Sequence, residues 1–394
     1  MLVKEKIAQV LEERREAFSR AVADAAKQQQ RYLEALDQLS CLSSANIEER
    51  LGDEPWPGAR PAEELDERGL IVRFAEDWNS AQEARGWALE RLHGISTVAV
   101  DGSQIPASKE FGVPVSLVQV AWFENPHDSG RPYRKDVRHE LVTPGDREDE
   151  IDSGALSVPF AESKLNQRRF ALEMRVAVER IHALQTERAP VVLVDGSFVL
   201  SFIGRMTPQA RPAYLEALFG LLDASRECRV PVLGYVDLSF ASDLLAMLSS
   251  LFDLSAENLF DARILAQRMQ SFDRTVAFQC ARGDVLPHYH TPTQDYSRDL
   301  CFVYLKTGHD RLPARIDFPR WILEAGLLDQ VLDVVRAEVV VGSGYPYALE
   351  TADAAAVLTA EDRMSFFRLF HDFAKTSGID LSVPGKSISK LHRR

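Results

Sequence analysis

Asp101 and Asp195 each close a valine-rich run and are followed by Gly-Ser, in VAVDGSQ and VVLVDGSF. A short apolar run stopped by Asp-Gly reads as a strand buried on both faces and ended by a turn, so both carboxylates are expected at strand ends, fixed by a sheet. Asp-Gly is also the commonest turn dipeptide, and a single copy would mean only that. Two copies in one context, with the same third residue, point to a shared site. Metal-assisted hydrolysis of a phosphodiester needs three or four carboxylates converging on one or two cations that activate water and neutralise charge on the phosphate. Oxygen ligands of this kind select magnesium or manganese rather than zinc.

The stretch before the second motif offers a third ligand. Glu173 lies in the apolar run Phe170-Ala171-Leu172-Glu173-Met174, where an acid on a solvated face is unexpected. Glu179, six helical positions on, falls roughly opposite and beside Arg180, as a surface residue would. Glu173 is therefore preferred; Glu179 stays open, as does an exposed pair between Glu173 and Arg169. Near the C-terminus, VVVGSGYPYALETADAAA reads as an apolar strand, a Gly-rich turn and a helix whose start carries Glu350 and Asp353. An acid there often only complements the helix dipole. The alanines around Asp353 allow close approach to another element, which makes it a candidate fourth ligand.

The elements that must position these groups follow a legible order. Val3 to about Leu39 is helical in pattern, with Ile7, Val10, Leu11, Phe18, Val22 and Ala25 on one stripe expected to pack on its own domain; a dimer or partner surface is the alternative. A Pro- and Gly-rich loop (Asp53 to Pro61) and a helical stretch including Trp78 and Trp87 lead to three strands in a meander between Ser96 and Pro144. An acidic loop, GDREDEID, precedes a long helix from Glu162 to Gln185 that runs into VVLVDGS. Beyond it, helices and strands alternate, ending in the helical stretches WILEAGLLDQVLDVVRAEV and TAEDRMSFFRLFHDFAKT. A meander followed by alternating strands and helices implies an α/β fold with a mixed sheet flanked by helices.

The 394 residues suffice for a large core, and a hydrophobic share of 45% is that of a soluble globular protein. A formal net charge of −13 argues against a DNA coat protein: nucleic-acid contact must come through a local basic channel or a bound cation. Cys41, Cys228, Cys280 and Cys301 form no CxxC pair, so neither zinc nor a disulfide framework is expected. The N-terminal helix lacks a signal peptide's apolar centre and cleavage site, and no run approaches the roughly 18 apolar residues of a membrane span, so a cytoplasmic protein with no membrane partner is expected.

His288 and His290 in PHYH have no third His or Cys nearby and read as a loop or strand surface. In PGKS the phosphate-loop glycine expected five residues before Gly385 is Asp380, so no ATP site is expected and any motor must be a separate protein. The tail KSISKLHRR and the cluster from Gln167 to Phe170 are basic enough to touch DNA phosphates, although such segments are usually just solvated. Phe366, Phe367, Phe370 and Phe373 are expected in the core.

VAVDGSQI followed by proline, the helix with RRFALE, VVLVDGSF, LGYVDLSFASDLL, ARIDFP and GYPYALETADAAA occur in the order and context of the NurA nucleases. From about Ser96 to Lys375 the chain resembles that family, and the paired DGS motifs with GYP are fairly specific in combination. The resemblance implies a ribonuclease H-like core and a manganese-dependent (Mn2+ or Mg2+) nuclease that processes DNA ends in double-strand break repair. It also implies a homodimer and a ring-shaped HerA-type hexameric ATPase that drives duplex DNA into it. Carried onto this sequence, it implies metal ligands at Asp101, Glu173 and Asp195, with Tyr345 as the GYP tyrosine that orients water or phosphate. Eight residues after that tyrosine the family usually has a histidine; this chain has Asp353, an adequate hard ligand. Asp237 stands where relatives often carry a small hydroxyl or a lysine; it is expected to cap the helix beginning near Ala241, with a place in the metal shell as the alternative. The expected organisation is a helical region over residues 1–94, a nuclease core over 95–380 and a basic tail over 381–394. Two other readings stay open: a metal-dependent phosphoryl-transfer enzyme for a small substrate, and a catalytically silent partner of the ATPase.

Overall fold

The computed structural model describes residues 2–65, 69–108, 113–143, 158–255, 259–379 and 381, without the side chains of 158–161. GDREDEID, PGKS and the basic tail fall outside the described residues. The chain divides into two compact units, and the described residues form a mixed α/β fold.

One unit comprises residues 1–77, 199–204 and 235–323. Its N-terminal helices are α1 (Lys4–Glu13), α2 (Arg15–Leu39) and α3 (Ser44–Leu51). The expected packing of the apolar stripe is not found: Ile7, Val10, Leu11, Phe18 and Val22 are exposed. Burial begins only in the second half of α2, at Tyr32, Leu33, Leu36 and Leu39, where the chain meets α7 (Asp243–Phe252) and α8 (Asp261–Leu265). The loop expected over Asp53 to Pro61 ends in a strand, β1 (Gly58–Pro61). A proline is tolerated there because β1 is a short terminal strand, paired on one side with β9 (Phe278–Ala281). Antiparallel pairing continues from β9 to β10 (Leu300–Leu305) and β11 (Ala314–Pro319), while β2 (Ile71–Val72) pairs with β8 (Arg274–Thr275) and β8 with β10. Asp237 does not cap α7, which starts six residues beyond it; Asp261 accepts hydrogen bonds from the Leu244 and Leu245 amides, both at 3.0 Å.

The other unit comprises residues 78–198, 205–234 and 324–394. After α4 (Ala81–Leu92) the meander forms as β3 (Thr97–Ile105), β4 (Ser116–Asn125) and β5 (Arg134–Val142), antiparallel throughout. The long helix is α5 (Val158–Leu184), and β6 (Val191–Asp195) returns parallel to β3. After α6 (Arg211–Cys228), β7 (Val232–Val236) begins beside β6, where the Val192 amide donates to the Pro231 carbonyl at 2.9 Å. The order β5-β4-β3-β6-β7 is that of a ribonuclease H-like sheet. The short helix α9 (Trp321–Glu324) spans the boundary between the units in sequence, and the later helices of this unit are α10 (Leu328–Val341), α11 (Tyr347–Ala356) and α12 (Ala360–Thr376).

Two local readings are corrected. Val339–Val341 ends α10 instead of forming a strand, because apolar positions from Leu328 through Val331, Leu332, Val335 and Val339 follow a helical period that overrides valine's strand preference. The first Asp-Gly-Ser is no turn: Asp101, Gly102 and Ser103 pair with Ala121, Val120 and Gln119, and β3 runs on to Ile105. The second does end its strand, at Asp195, with Gly196 at φ +132. Phe367 is buried against Ile105, Val115 and Leu117 with Phe366 and Phe370 packed alongside, whereas Phe373 is exposed.

Candidate functional site

Asp101 and Asp195 come together by register. The parallel ladder pairs Val100 with Val194, and each aspartate is the next residue on its strand, so both point from the same face at one end of the sheet. That face is covered by α11: Gln119, paired with Ser103, donates to the Ala355 and Ala356 carbonyls at 3.3 and 3.0 Å. Ala348, Ala352 and Ala356 form a buried small-residue stripe at intervals of four, which lets α11 lie close to β3, β4 and β6. Asp353, beside that stripe, makes a side-chain hydrogen bond with Asp101.

Glu173 arrives from the other face. Gly102 points toward α5, and a Cβ there would lie 3.0 Å from both Cγ and Cδ of Glu173 and closer still to Oε1. The missing side chain is thus the opening through which Glu173 reaches β3. Arg169, one turn earlier, donates from Nη1 to the Gly102 carbonyl at 2.9 Å, and the same nitrogen lies 3.2 Å from Glu173 Oε1. That pair is the one expected for a solvated face, but here Glu173 is only 8% exposed. Its Oε1 is buried and accepts no hydrogen bond. Glu179, the alternative, is tied on the surface to Arg138 by bonds of 2.6 and 2.8 Å.

The electrostatics register this crowding. Burial pushes the Asp101 carboxyl up to about 6; the Gly102 backbone bond opposes the rise, while the charges of Asp195 and Asp353 and the hydrogen bond to Asp353 add to it. Burial pushes Glu173 up to about 7, countered by Arg169 and reinforced by Asp101 and Asp195. The four acids are coupled through charge and one hydrogen bond, yet no three His, Cys, Asp or Glu side chains among the described residues lie close enough to hold an ion as they stand. Tyr345 is half-buried in the turn at the head of α11. That turn is tight: Ser343 has φ 58, Gly344 has φ 115, and a Cβ at Gly342 would overlap the Tyr345 carbonyl. In the other unit, His288 ends a 3-10 turn and His290 bridges Asp295.

Sequence reasoning missed the close approach at Gly102 and placed the Arg169–Glu173 pair on an exposed face, where the structure buries Glu173. The available signal was a glycine inside a pattern otherwise fit for a strand, which marks a close approach as readily as a turn.

A ribonuclease H-like sheet with acids on two adjacent parallel strands, one within β3 and one at the end of β6, and on two covering helices defines an α/β protein with a carboxylate cluster where the β3–β6 ladder ends. Residues 95–358 match the NurA domain family, more than half of the chain, and the protein belongs to that family. Three solved structures resemble it at 8% identity. A crystal structure of NurA with manganese covers 71% of this chain and 89% of its own, with a TM-score of 0.44. A second crystal structure of NurA covers 70% and 88%, with a TM-score of 0.45. The third, NurA bound to dAMP and manganese, covers 68% and 85%, with a TM-score of 0.37. No curated protein matches. Among the described residues, no helix is long and apolar enough to cross a membrane.

Proposed function

We propose that this protein is a manganese- or magnesium-dependent deoxyribonuclease acting on DNA ends, with Asp101, Glu173, Asp195 and Asp353 holding one or two ions. The observation that carries the reading is the convergence of acids: Glu173, 8% exposed beside Arg169, is coupled through charge to Asp101 and Asp195, and Asp101 is hydrogen-bonded to Asp353. Arg169 offsets the charge of Glu173, and the set of hard oxygens still carries excess negative charge, which suits a divalent cation. The repulsion that separates the acids is what such an ion removes. Membership of the NurA family supports the same reading.

When bound, the ion lowers the pKa of an attacking water and stabilises the leaving oxygen. The chain's own groups prepare that state. Asp101 and Asp353 are hydrogen-bonded beside the charge of Asp195, a crowding of acids that a bound cation would relieve; Arg169 holds Glu173 to the Gly102 backbone; the Tyr345 hydroxyl orients water or the scissile phosphate. A chain of net charge −13 gains from a bound cation when it approaches a polyanion.

On the strength of its NurA family membership, the protein works in double-strand break repair with a HerA-type hexameric ATPase that feeds it duplex DNA. It acts as a cytoplasmic homodimer, and the exposed stripe from Ile7 to Val22 supports a partner surface. Asp101→Asn and Asp195→Asn are expected to abolish manganese-dependent degradation of linear duplex while leaving the fold intact. Full activity in either folded variant removes the proposed site.

A further inference from the structure

Glu338 lies in the last turn of α10, remote from the acid cluster, and is 1% exposed. An acid at a helix–sheet junction is disfavoured unless its oxygens are satisfied, and here both are. Thr97 Oγ1 donates to Oε1 at 2.7 Å, and the Ala348 amide donates to Oε2 at 2.9 Å. His127 Nε2 lies 3.4 Å from Oε1, and its Nδ1 lies 2.7 Å from the Ile95 carbonyl.

The bonded groups belong to the two elements that carry Asp101 and Asp353. Thr97 begins β3 and, four residues before Asp101, shares its face. Ala348 is in the first turn of α11, whose N-cap, Pro346, supplies no side-chain cap. Glu338 therefore satisfies one of the amides that the start of α11 leaves open and offers a negative charge to the positive end of its dipole. Asp353 follows Ala348 by five residues, about 7.5 Å of helix rise. The strained turn bearing Tyr345 is spanned by the same tie, since it joins Glu338's helix to α11.

We propose that Glu338 is a positioning residue: by fastening the start of α11 to the start of β3, it fixes Asp353 and Tyr345 relative to Asp101 and so sets the metal affinity of the site. The metal-affinity part rests on the nuclease reading above; the fastening itself does not.

The test uses the full chain carrying Glu338→Gln, Thr97→Val or Thr97→Ser. Hydrogen exchange over residues 347–353 is measured without metal, manganese binding by electron paramagnetic resonance titration of free Mn2+, and kcat and KM on linear duplex at saturating manganese. Glutamine cannot accept from both donors, and valine removes one arm at nearly constant volume. In both variants exchange over the first turn of α11 is expected to rise at least tenfold and the manganese midpoint to weaken about 10–100-fold. The loss should fall on kcat rather than KM, and Thr97→Ser should restore all three. If Glu338→Gln does not fold, the Thr97→Val and Thr97→Ser pair decides alone. Wild-type exchange in folded Thr97→Val overturns the fastening, and wild-type manganese affinity despite faster exchange overturns its link to the site. A wild-type chain that binds no manganese and degrades no DNA defeats the nuclease reading, and the exchange comparison still decides whether Glu338 holds α11.

Discussion

Gly102→Ala separates a site that needs Glu173 close to β3 from one that does not. Gly102 has no positive φ, so alanine fits the backbone, and at an ordinary position the change would stabilise by about 0.4–1 kcal/mol through the unfolded chain. Here the added Cβ would sit 3.0 Å from Glu173 Cγ and Cδ, against 3.4 Å for ordinary contact, and inside the radius of Oε1. The carboxylate must swing away by about 1 Å, and a displacement of that size at a reacting group costs on the order of 100-fold in rate, or about 2.7 kcal/mol at 1.36 kcal/mol per tenfold. The assay is the initial rate of linear-duplex degradation at saturating manganese, run beside thermal unfolding. A melting temperature within a few degrees of wild type with a rate down about 100-fold is expected. Combining Gly102→Ala with Glu173→Gln should cost no more than Glu173→Gln alone, because both act through one carboxylate. A folded Gly102→Ala enzyme within twofold of wild type refutes the reasoning, as does full additivity in the double variant.

Glu173 titrates near 7 when folded and near 4.5 when unfolded, so its contribution to stability is present at pH 4 and lost as pH rises through 7. In chelator, Glu173→Gln should therefore gain about 3 kcal/mol relative to wild type between pH 4 and pH 8, read from urea unfolding at both values; a constant difference contradicts the burial argument. Since Asp101 and Glu173 must lose protons to bind an ion, manganese affinity should fall steeply as pH drops below about 6–7, and isothermal titration should register proton release. Asp353→His, which restores the residue usual in the family, should keep manganese-dependent cleavage but shift its acid limb; a pH profile identical to wild type would place Asp353 outside the site. Glutamates at both Leu11 and Phe18 should convert a dimer to monomers in light scattering without changing the melting temperature of the folded body. An unchanged mass removes those exposed side chains from the dimer surface.

Much of the candidate site's local structure was legible because the residues proposed for it sit where local patterns are strong. The Val-rich runs before Asp101 and Asp195 could only be buried strands, and the apolar run around Glu173 separated it from Glu179, which indeed pairs on the surface with Arg138. The failures arose where two periodicities or two roles share one signal. Asp-Gly-Ser looks alike whether it ends a strand, as at Asp195, or continues one, as at Asp101; the difference lies in pairing with β4, a long-range contact. Val339–Val341 favours strand by composition but closes a helix by period. The N-terminal stripe promised packing that the unit does not provide, because amphipathicity records a need for a partner without saying whose surface meets it. Gly102 carried only the weak signal of a glycine within a strand pattern and Glu338 none, because each acts through an element distant in sequence.

Anomalous diffraction at the manganese edge from crystals of the full chain soaked in Mn2+ tests the proposed centre itself. The account predicts one or two peaks ligated by oxygens of Asp101, Glu173, Asp195 and Asp353, about 3.5–4 Å apart where two are present. No peak at that end of the sheet, or manganese held without Asp101 and Asp195, would contradict it.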